Sequence, residues 1–229
     1  MKLTVERSDL WRGIDTVLDA VASKPAQPLL SNLLIEAEGD RLTLSASDLD
    51  LSMRTSVAAA VEVPGRTTVS ARTLAEIARE WPEATVSVVI EDGRLVLSGS
   101  LGTGGASGEG RYTLAIAPPD GFPEIPDSVE GVTIRFEAEG DLNSQLVRSM
   151  IDKTSFAVSR DETRPVLNGV LWRIGPDGMT MVATDGSRLA EFRQSGKGFG
   201  DGGTAEVILP PQLCNQLNKL LDGPDELIC

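Results

Sequence analysis

The stretch MVATDGSRLA, Met181–Ala190, repeats the pattern of an earlier stretch, LSASDLDLSM, Leu44–Met53. Both stretches place a small residue, a hydroxyl residue and an aspartate in the same frame. The correspondence continues upstream at one constant offset without a gap, with residues 30–34 over 167–171 and residues 42–48 over 179–185. The sequence therefore predicts two domains of like design.

Each copy alternates apolar and polar residues on either side of a glycine-containing turn, EGD in the first and GPDG in the second, which is typical of a β-hairpin. Apolar residues at helical spacing flank each hairpin, and Phe156 is read as a last inward residue of the third helix. Helices are predicted over residues 8–21, 72–80, 142–153 and 211–221, and further strands over residues 85–90, 94–98 and 111–116. The predicted fold class is α+β, with two helices packed on antiparallel sheets in each domain.

The segment PPDGFPEIPDSVEG, Pro118–Gly131, is too rich in proline and glycine for a helix or a central strand. We therefore expect a first domain over residues 1–118, a linker over 119–131 and a second domain over 132–229. By comparison with the first copy, the second copy stops inside the strand that follows its second helix, so the second domain is expected to be incomplete at its C-terminus.

Composition excludes several classes of site. The chain has 229 residues, 41% of them hydrophobic, which suffices for a core without disulfides or metals. It contains no histidine, so Ser-His-Asp and Cys-His catalytic arrangements are excluded. Cys214 lies among leucines and is read as a core thiol. With no signal-like N-terminus and no run of membrane-spanning length, a cytoplasmic location is expected, with no cofactor and no metal.

Two glycine-rich segments and several acids are given structural interpretations. Gly102–Gly110 and Gly196–Gly203 are read as hairpin loops, because neither is followed by the helix start that a phosphate-binding loop requires. The carboxylates that could be considered for acid–base chemistry lie where turns and strand ends would hold them in local hydrogen bonds, so an enzyme is not predicted; they are Asp48, Asp50, Glu162 and Asp185.

The net charge of −13 opposes whole-surface attraction to nucleic acid, but the charge is unevenly distributed. The four predicted helices carry as many basic as acidic residues, so the strands and loops hold the excess acid. A face formed by the helices could approach DNA through phosphate contacts; ordinary surface pairing is the alternative explanation. Near Arg188, small and apolar residues could leave a shallow apolar notch for a partner, or could pack into the domain's own core.

Several segments together resemble the bacterial DNA polymerase III beta subunit, the sliding clamp family. They are MKLTVER, PLLSNLLIEAEGDRLTLSASDLDLSM, TTVSARTLAEIAREWPE, RYTLAIAPPDGFPEIP, FAVSRDETRPVLNGVLW and MVATDGSRLAEF. The resemblance implies the DNA clamp fold and a non-enzymatic processivity factor: a ring of two subunits, each of three similar domains, that encircles duplex DNA with helices lining the hole. It also implies that a third domain is absent from this chain.

The resemblance further implies three sets of site residues. Positions that match DNA-facing ones are Arg7, Arg12, Lys24, Arg72, Arg79, Arg148, Arg160 and Lys219. Asp161 stands where some family members have an uncharged polar residue that contacts DNA. The second domain's share of a hydrophobic partner-peptide pocket matches Leu167, Thr184, Gly186, Ser187, Arg188 and Leu189. Tyr112 and Leu114 match an edge that pairs with another subunit.

The partners implied are double-stranded DNA without sequence preference and, through short linear motifs, the polymerase III catalytic subunit, the clamp loader and repair polymerases. The family forms homodimers, whereas this chain is expected to be monomeric and poorly retained on DNA. The alternative interpretation is a peptide-binding module that never encloses DNA.

Overall fold

The structure, a computed structural model, describes residues 1–22, 25, 27–82, 84–103, 106–126, 143–161, 163–196 and 204–221. The chain divides into two units, Met1–Asp127 and Ser128–Cys229.

The first unit is a closed antiparallel sheet with two helices. Its strands follow one another in space in the order β1-β4-β3-β2-β5-β8-β7-β6, and β1 closes the sheet by pairing with both β4 and β6. The elements are β1 Lys2–Glu6, α1 Arg7–Leu18, β2 Asn32–Glu38, β3 Arg41–Ser47, β4 Ser52–Val63, β5 Gly65–Ser70, α2 Ala71–Glu80, β6 Thr85–Glu91, β7 Arg94–Thr103 and β8 Ala106–Ala117.

The two helices of this unit lie side by side and cover a face of the sheet. Leu10, Ile14 and Val17 are buried one helical turn apart on α1. Gly13 lets this helix approach closely, because a Cβ at that position would lie 2.9 Å from the Leu44 Cδ1 atom. Burial of the apolar stripe, rather than helix propensity, therefore fixes α1 on β3 and β4.

The described part of the second unit repeats half of this plan. The four strands described there lie in the order β11-β10-β9-β12, which matches β4-β3-β2-β5 of the first unit. Its elements are α3 Ser144–Asp152, β9 Val170–Gly175, β10 Gly178–Thr184, β11 Leu189–Ser195, β12 Ala205–Leu209 and α4 Pro211–Leu220. Its core contains Met150, Trp172, Met181 and Leu217. The predicted α+β fold with repeated domains is confirmed.

Two expectations about element ends were wrong. Phe156 does not extend the buried face of α3; it lies in a separate 3-10 turn, Ser155–Ala157, and is 58% exposed. The helix ends earlier because the Thr154 hydroxyl turns back and donates to the Met150 carbonyl at 2.7 Å. The Gly102–Gly110 segment is mostly strand, since β7 and β8 pair as far as Thr103 and Ala106 and ladder hydrogen bonds need no side chain.

Part of the expected linker packs on the first unit. Phe122 is 5% exposed, and Arg54 Nη2 donates to the Ile125 carbonyl at 2.7 Å. Among the described residues, no helix combines the length and apolarity that crossing a membrane would require.

Candidate functional site

The turn between β10 and β11 is closed by its own side chains. The Thr184 hydroxyl accepts from the Gly186 amide at 3.1 Å and donates to the Arg188 carbonyl at 2.7 Å. Asp185 Oδ1 accepts from the amides of Ser187 and Arg188 at 2.9 and 3.0 Å. Gly186 has a φ of +90°, which glycine adopts at little cost. The turn is therefore preorganised by local hydrogen bonds.

The first unit contains the same turn between β3 and β4. The Ser47 hydroxyl accepts from the Leu49 amide at 3.1 Å, and Asp48 Oδ1 accepts from the amides of Asp50 and Leu51 at 3.1 and 2.7 Å. Asp48 and Asp185 are thus locally hydrogen-bonded acids, as the sequence predicted. The repeated small–hydroxyl–aspartate pattern encodes one turn used twice.

Arg188 connects the second turn to the segment after α3. Its Nε donates to Asp185 Oδ2 at 3.0 Å, its Nη2 donates to the Phe156 carbonyl at 2.7 Å, and its guanidinium carbon lies 5.5 Å from the centre of the Phe156 ring. The amides of Ser187 and Arg188, followed by the Arg188 guanidinium, hold the pKa of Asp185 below its usual range. The acid therefore stays ionised and the arginine stays fixed.

The turn around Arg160 is also held by an aspartate. Asp161 Oδ1 accepts from the hydroxyl and amide of Thr163 at 2.6 and 3.1 Å, and its Oδ2 accepts from Arg164 Nε at 2.9 Å. The Thr163 bonds first, and then the Arg164 bond, lower the pKa of Asp161. The Ser159 amide donates to the Leu167 carbonyl at 2.9 Å, which ties this turn to the start of β9.

A cavity of about 730 Å³ lies between the 3-10 turn, the Arg160 turn and the start of α4. Its lining combines polar and apolar side chains: Ser155, Phe156, Val158, Ser159, Arg160, Asp185, Arg188 and Pro211. Of the predicted pocket residues, Arg188 alone lines it. The others flank it at the strand ends, where Leu189 is 64% exposed, Gly186 and Ser187 are exposed, and Thr184 and Leu167 are half-buried.

The predicted DNA-facing residues of the first unit lie on its paired helices. Arg7 and Arg12 are on α1, and Arg72 and Arg79 are on α2. Arg7 Nη1 donates to the Arg79 carbonyl at 3.3 Å, so the two helices meet at these residues. Arg12 pairs with Asp9 at 3.0 Å, and Arg79 with Glu80 at 3.1 Å. All of these ion pairs are solvent-exposed and leave the guanidinium groups accessible.

In the second unit, Arg148 lies on α3 and Lys219 on α4. These helices are joined by a bond from Asn218 Nδ2 to Asp152 Oδ1 at 2.7 Å. Arg160 is exposed on its turn, while Lys24 and Glu162 lie outside the described residues. Taken together, the four helices hold six basic and five acidic residues, against a net charge of −13 for the chain.

The predicted subunit edge lies on β8. Tyr112 is 46% exposed and its ring centre lies 5.6 Å from that of Trp81. Leu114 points into the core at 8% exposure. A partner strand would therefore meet the backbone of Leu114 rather than its side chain.

Cys214 is a buried core thiol, as predicted, and burial raises its pKa to about 11. Within the described ranges, no group of His, Cys, Asp and Glu side chains is arranged to hold a metal ion.

Sequence patterns did not identify Ser155, Phe156 and Pro211 as neighbours of Arg188. Phe156 was assigned to a helix face by its spacing, and Pro211 only signalled a helix start. The one signal available was a phenylalanine in the segment KTSFAVSR, which follows the predicted third helix.

Two domains of one known protein family match the chain. Residues 1–126 match the DNA polymerase III beta subunit, N-terminal domain, and residues 141–229 match the DNA polymerase III beta subunit, central domain. A beta sliding clamp of Caulobacter vibrioides is 36% identical over 235 residues, covering 100% of this chain and 59% of that protein. The chain thus spans about 59% of the length of this relative.

Solved structures agree with the sequence matches. The DNA polymerase III subunit beta from Pseudomonas aeruginosa superposes with a TM-score of 0.84 at 28% identity, covering 100% of this chain and 59% of that one. A sliding clamp from Bartonella birtlesii bound to griselimycin has a TM-score of 0.83 at 30% identity, covering 100% and 58%. The repeated units, the paired helices and these matches together place the chain in the DNA polymerase III beta subunit family.

Proposed function

We propose that this chain forms part of a DNA sliding clamp, a non-catalytic processivity factor that encircles duplex DNA. The observation that carries the proposal is the charge balance of the helices. The helices that pair within each unit hold six basic and five acidic residues, in a chain whose excess acid lies in strands and loops. Family membership supplies the second support.

Sliding requires contact without sequence readout. Phosphate contacts position a protein on a duplex and carry no base information, whereas base-edge contacts would hold it at one site. Exposed arginines such as Arg72 and Arg79 suit the first kind of contact. An acidic strand and loop surface would repel DNA elsewhere and favour approach to the helices. Arg7, Arg12, Arg148, Arg160, Lys24 and Lys219 are proposed as further phosphate contacts.

The second part of the proposal concerns protein partners. The apolar and small residues around the β10–β11 turn would form this chain's share of a pocket for short linear motifs of the polymerase III catalytic subunit, the clamp loader and repair polymerases. They are Leu167, Thr184, Gly186, Ser187, Arg188 and Leu189. The relative from Bartonella birtlesii binds griselimycin, which makes that compound a practical probe. Pairing through β8 at Tyr112 and Leu114 would serve a homodimeric ring.

A second candidate function is a peptide-binding module without DNA encirclement. It is favoured by exposed apolar side chains in the second unit, among them Phe156, Val166 and Leu189. Exposed apolar groups of this kind mark protein interaction sites. Both candidates share the pocket and differ only in the role of the helices.

Retention on nicked circular DNA, before and after linearisation, separates the two functions when it is measured for this chain and for a version extended by the third domain that the family resemblance implies. Encirclement predicts that the extended protein remains on the circle during gel filtration and is lost when the DNA is cut, whereas this chain alone is poorly retained. A full-length clamp from Caulobacter vibrioides provides the positive control. Equal, salt-sensitive binding of the extended protein to both DNA forms would contradict encirclement, and its binding to neither form would favour the peptide-binding module.

A further inference from the structure

Residues 119–126, called the strap below, lie against the outer face of the first unit's sheet, the face opposite to α1. Residues 123–126 form one side of a cavity of about 460 Å³, whose other side includes Leu34 on β2 and Arg54 on β4. Arg54 Nη2 donates to the Ile125 carbonyl at 2.7 Å, and Phe122 is 5% exposed. The strap is therefore attached to the unit at two neighbouring points.

Burial on the outer face of the sheet follows the position of the strap. Leu34, Ser45 and Thr68 lie opposite one another on β2, β3 and β5, and they are 2%, 0% and 0% exposed. Their chain neighbours Leu33 and Leu44 belong to the main core cluster, because successive side chains of a strand point to opposite faces. The first three point away from that core, so the strap accounts for their burial.

The second unit shows the equivalent row of residues with less cover. In the matching strands, Leu171 lies opposite Val182 on one side and Ile208 on the other. Ile208 is 41% exposed, and Leu171 and Val182 are half-buried. The same position of the repeated sheet is thus fully buried beside the strap and more open in the described part of the second unit.

The contact between the strap and the sheet is incomplete. The cavity separates part of the strap from the strands, so the residues that face it lose direct dispersion contacts there. The Ser45 hydroxyl is buried without a hydrogen-bond partner among the described residues, a cost that water would remove if the strap opened. Against these losses stand the burial of Phe122 and the charge-assisted bond from Arg54. This balance favours local opening.

We propose that the strap is locked by Arg54 and opens while the sheet of the first unit stays folded. The proposal concerns the first unit and does not depend on the proposed function. A closed strap leaves residues 127–131 of the predicted linker, and opening adds residues 119–126, which reach about 26–29 Å when fully extended. The strap therefore sets the length of chain available to the linker.

Hydrogen exchange of the Phe122 amide, followed by NMR in the full chain, tests the lock. This amide donates to the Pro119 carbonyl at 2.9 Å within the strap. Arg54→Met should speed its exchange about tenfold, as expected for loss of a hydrogen bond from a charged donor. The matched control is Arg66→Met, which removes an arginine of the same cavity that pairs with Glu36 at 2.9 Å. It should change the rate less than about twofold, because a surface ion pair contributes little.

The urea dependence of the same exchange tests whether opening is local. The rate at Phe122 should rise weakly with urea and the rates of the β3 amides steeply, because global unfolding exposes far more surface. Phe122→Ala removes the apolar anchor from the strap itself. It should speed cleavage after Glu124 by a glutamate-specific protease more than about tenfold, while exchange in β3 stays as in the native protein.

Each alternative outcome would overturn the proposal. An unchanged rate in Arg54→Met, or equal acceleration in Arg54→Met and Arg66→Met, would show that the bond to Ile125 does not hold the strap. Equal urea dependence at Phe122 and in β3 would show that the strap opens only when the whole unit unfolds. Cleavage after Glu124 at the native rate in Phe122→Ala would show that Phe122 is not an anchor.

Discussion

Leu49 and Gly186 occupy equivalent positions in two turns with the same hydrogen bonds, and both have positive φ angles, of 81° and 90°. Glycine adopts such a φ freely, whereas leucine pays about 1–2 kcal/mol for the contact of its Cβ with the backbone. Leu49 is also 62% exposed, so its burial recovers little of this cost. The first turn is therefore strained where the second is relaxed.

Replacing Leu49 by glycine should stabilise the protein. The substitution releases the strain energy of the positive φ in the folded state, and this exceeds the free-energy cost of the greater conformational entropy that glycine gives the unfolded chain. The expected net gain is therefore about 0.5–1 kcal/mol in the free energy of unfolding, measured by urea denaturation. Gly186→Ala is the reciprocal variant. A Cβ there would meet Arg164 Nη1 at 3.5 Å, an ordinary contact, so the expected loss of about 1 kcal/mol in the free energy of unfolding would come from the positive φ alone. A destabilised Leu49→Gly protein would contradict this account.

The repeated turn shows what could be predicted from sequence. Its hydroxyl and aspartate act on backbone amides two and three residues away, so the pattern alone specifies the hydrogen bonds and the fold follows from its repetition. Phe156 was placed wrongly because helical spacing continues past the point where Thr154 ends α3. The neighbours of Arg188 come from a 3-10 turn and from α4, far apart in sequence, and local periodicity holds no information on such contacts.

Acid should weaken the second turn through Asp185. Because its folded-state pKa is lowered, the carboxylate contributes stability that is present above the unfolded value of about 3.9 and is lost as pH falls through the folded pKa. The difference in free energy of unfolding between the native chain and Asp185→Asn should stay constant from neutral pH to about 4 and shrink below it. Asp50→Asn provides a charge-matched control, since no side-chain hydrogen bond of Asp50 is present among the described residues. A difference that grows on acidification would be inconsistent with these bonds.

The Cys214 thiol should be inert in the folded protein. With a pKa of about 11, about one thiol in a thousand is ionised at pH 8, and the residue is 0% exposed. In a Cys229→Ser background, Ellman's reagent should react only after unfolding by urea. Rapid stoichiometric reaction without denaturant would show that Cys214 is accessible and that the second core is assigned incorrectly.

Leu189 should contribute to partner binding more than to stability. Its side chain is 64% exposed, so Leu189→Ser should change the free energy of unfolding by less than about 0.5 kcal/mol. Calorimetric titration with griselimycin should show about tenfold weaker binding, as expected for loss of an apolar anchor. Val63→Ser, at a 48% exposed site of the first unit, should leave the affinity unchanged. Equal affinities of the Leu189→Ser and native proteins for griselimycin would contradict the assignment of Leu189 to the proposed pocket.

The central claim is that the helices meet DNA phosphates, and the salt dependence of duplex affinity tests it most directly. The variant Arg12→Met, Arg72→Met, Arg79→Met removes three exposed arginines from α1 and α2. Its control, Arg41→Met, Arg66→Met, Arg111→Met, removes three exposed arginines that pair with acids on or beside the strands. We predict that the slope of log K against log salt becomes shallower by about 2–3 in the helix variant and changes little in the control. Equal changes in the two variants would mean that net charge alone governs binding, and the helices would lose their proposed role.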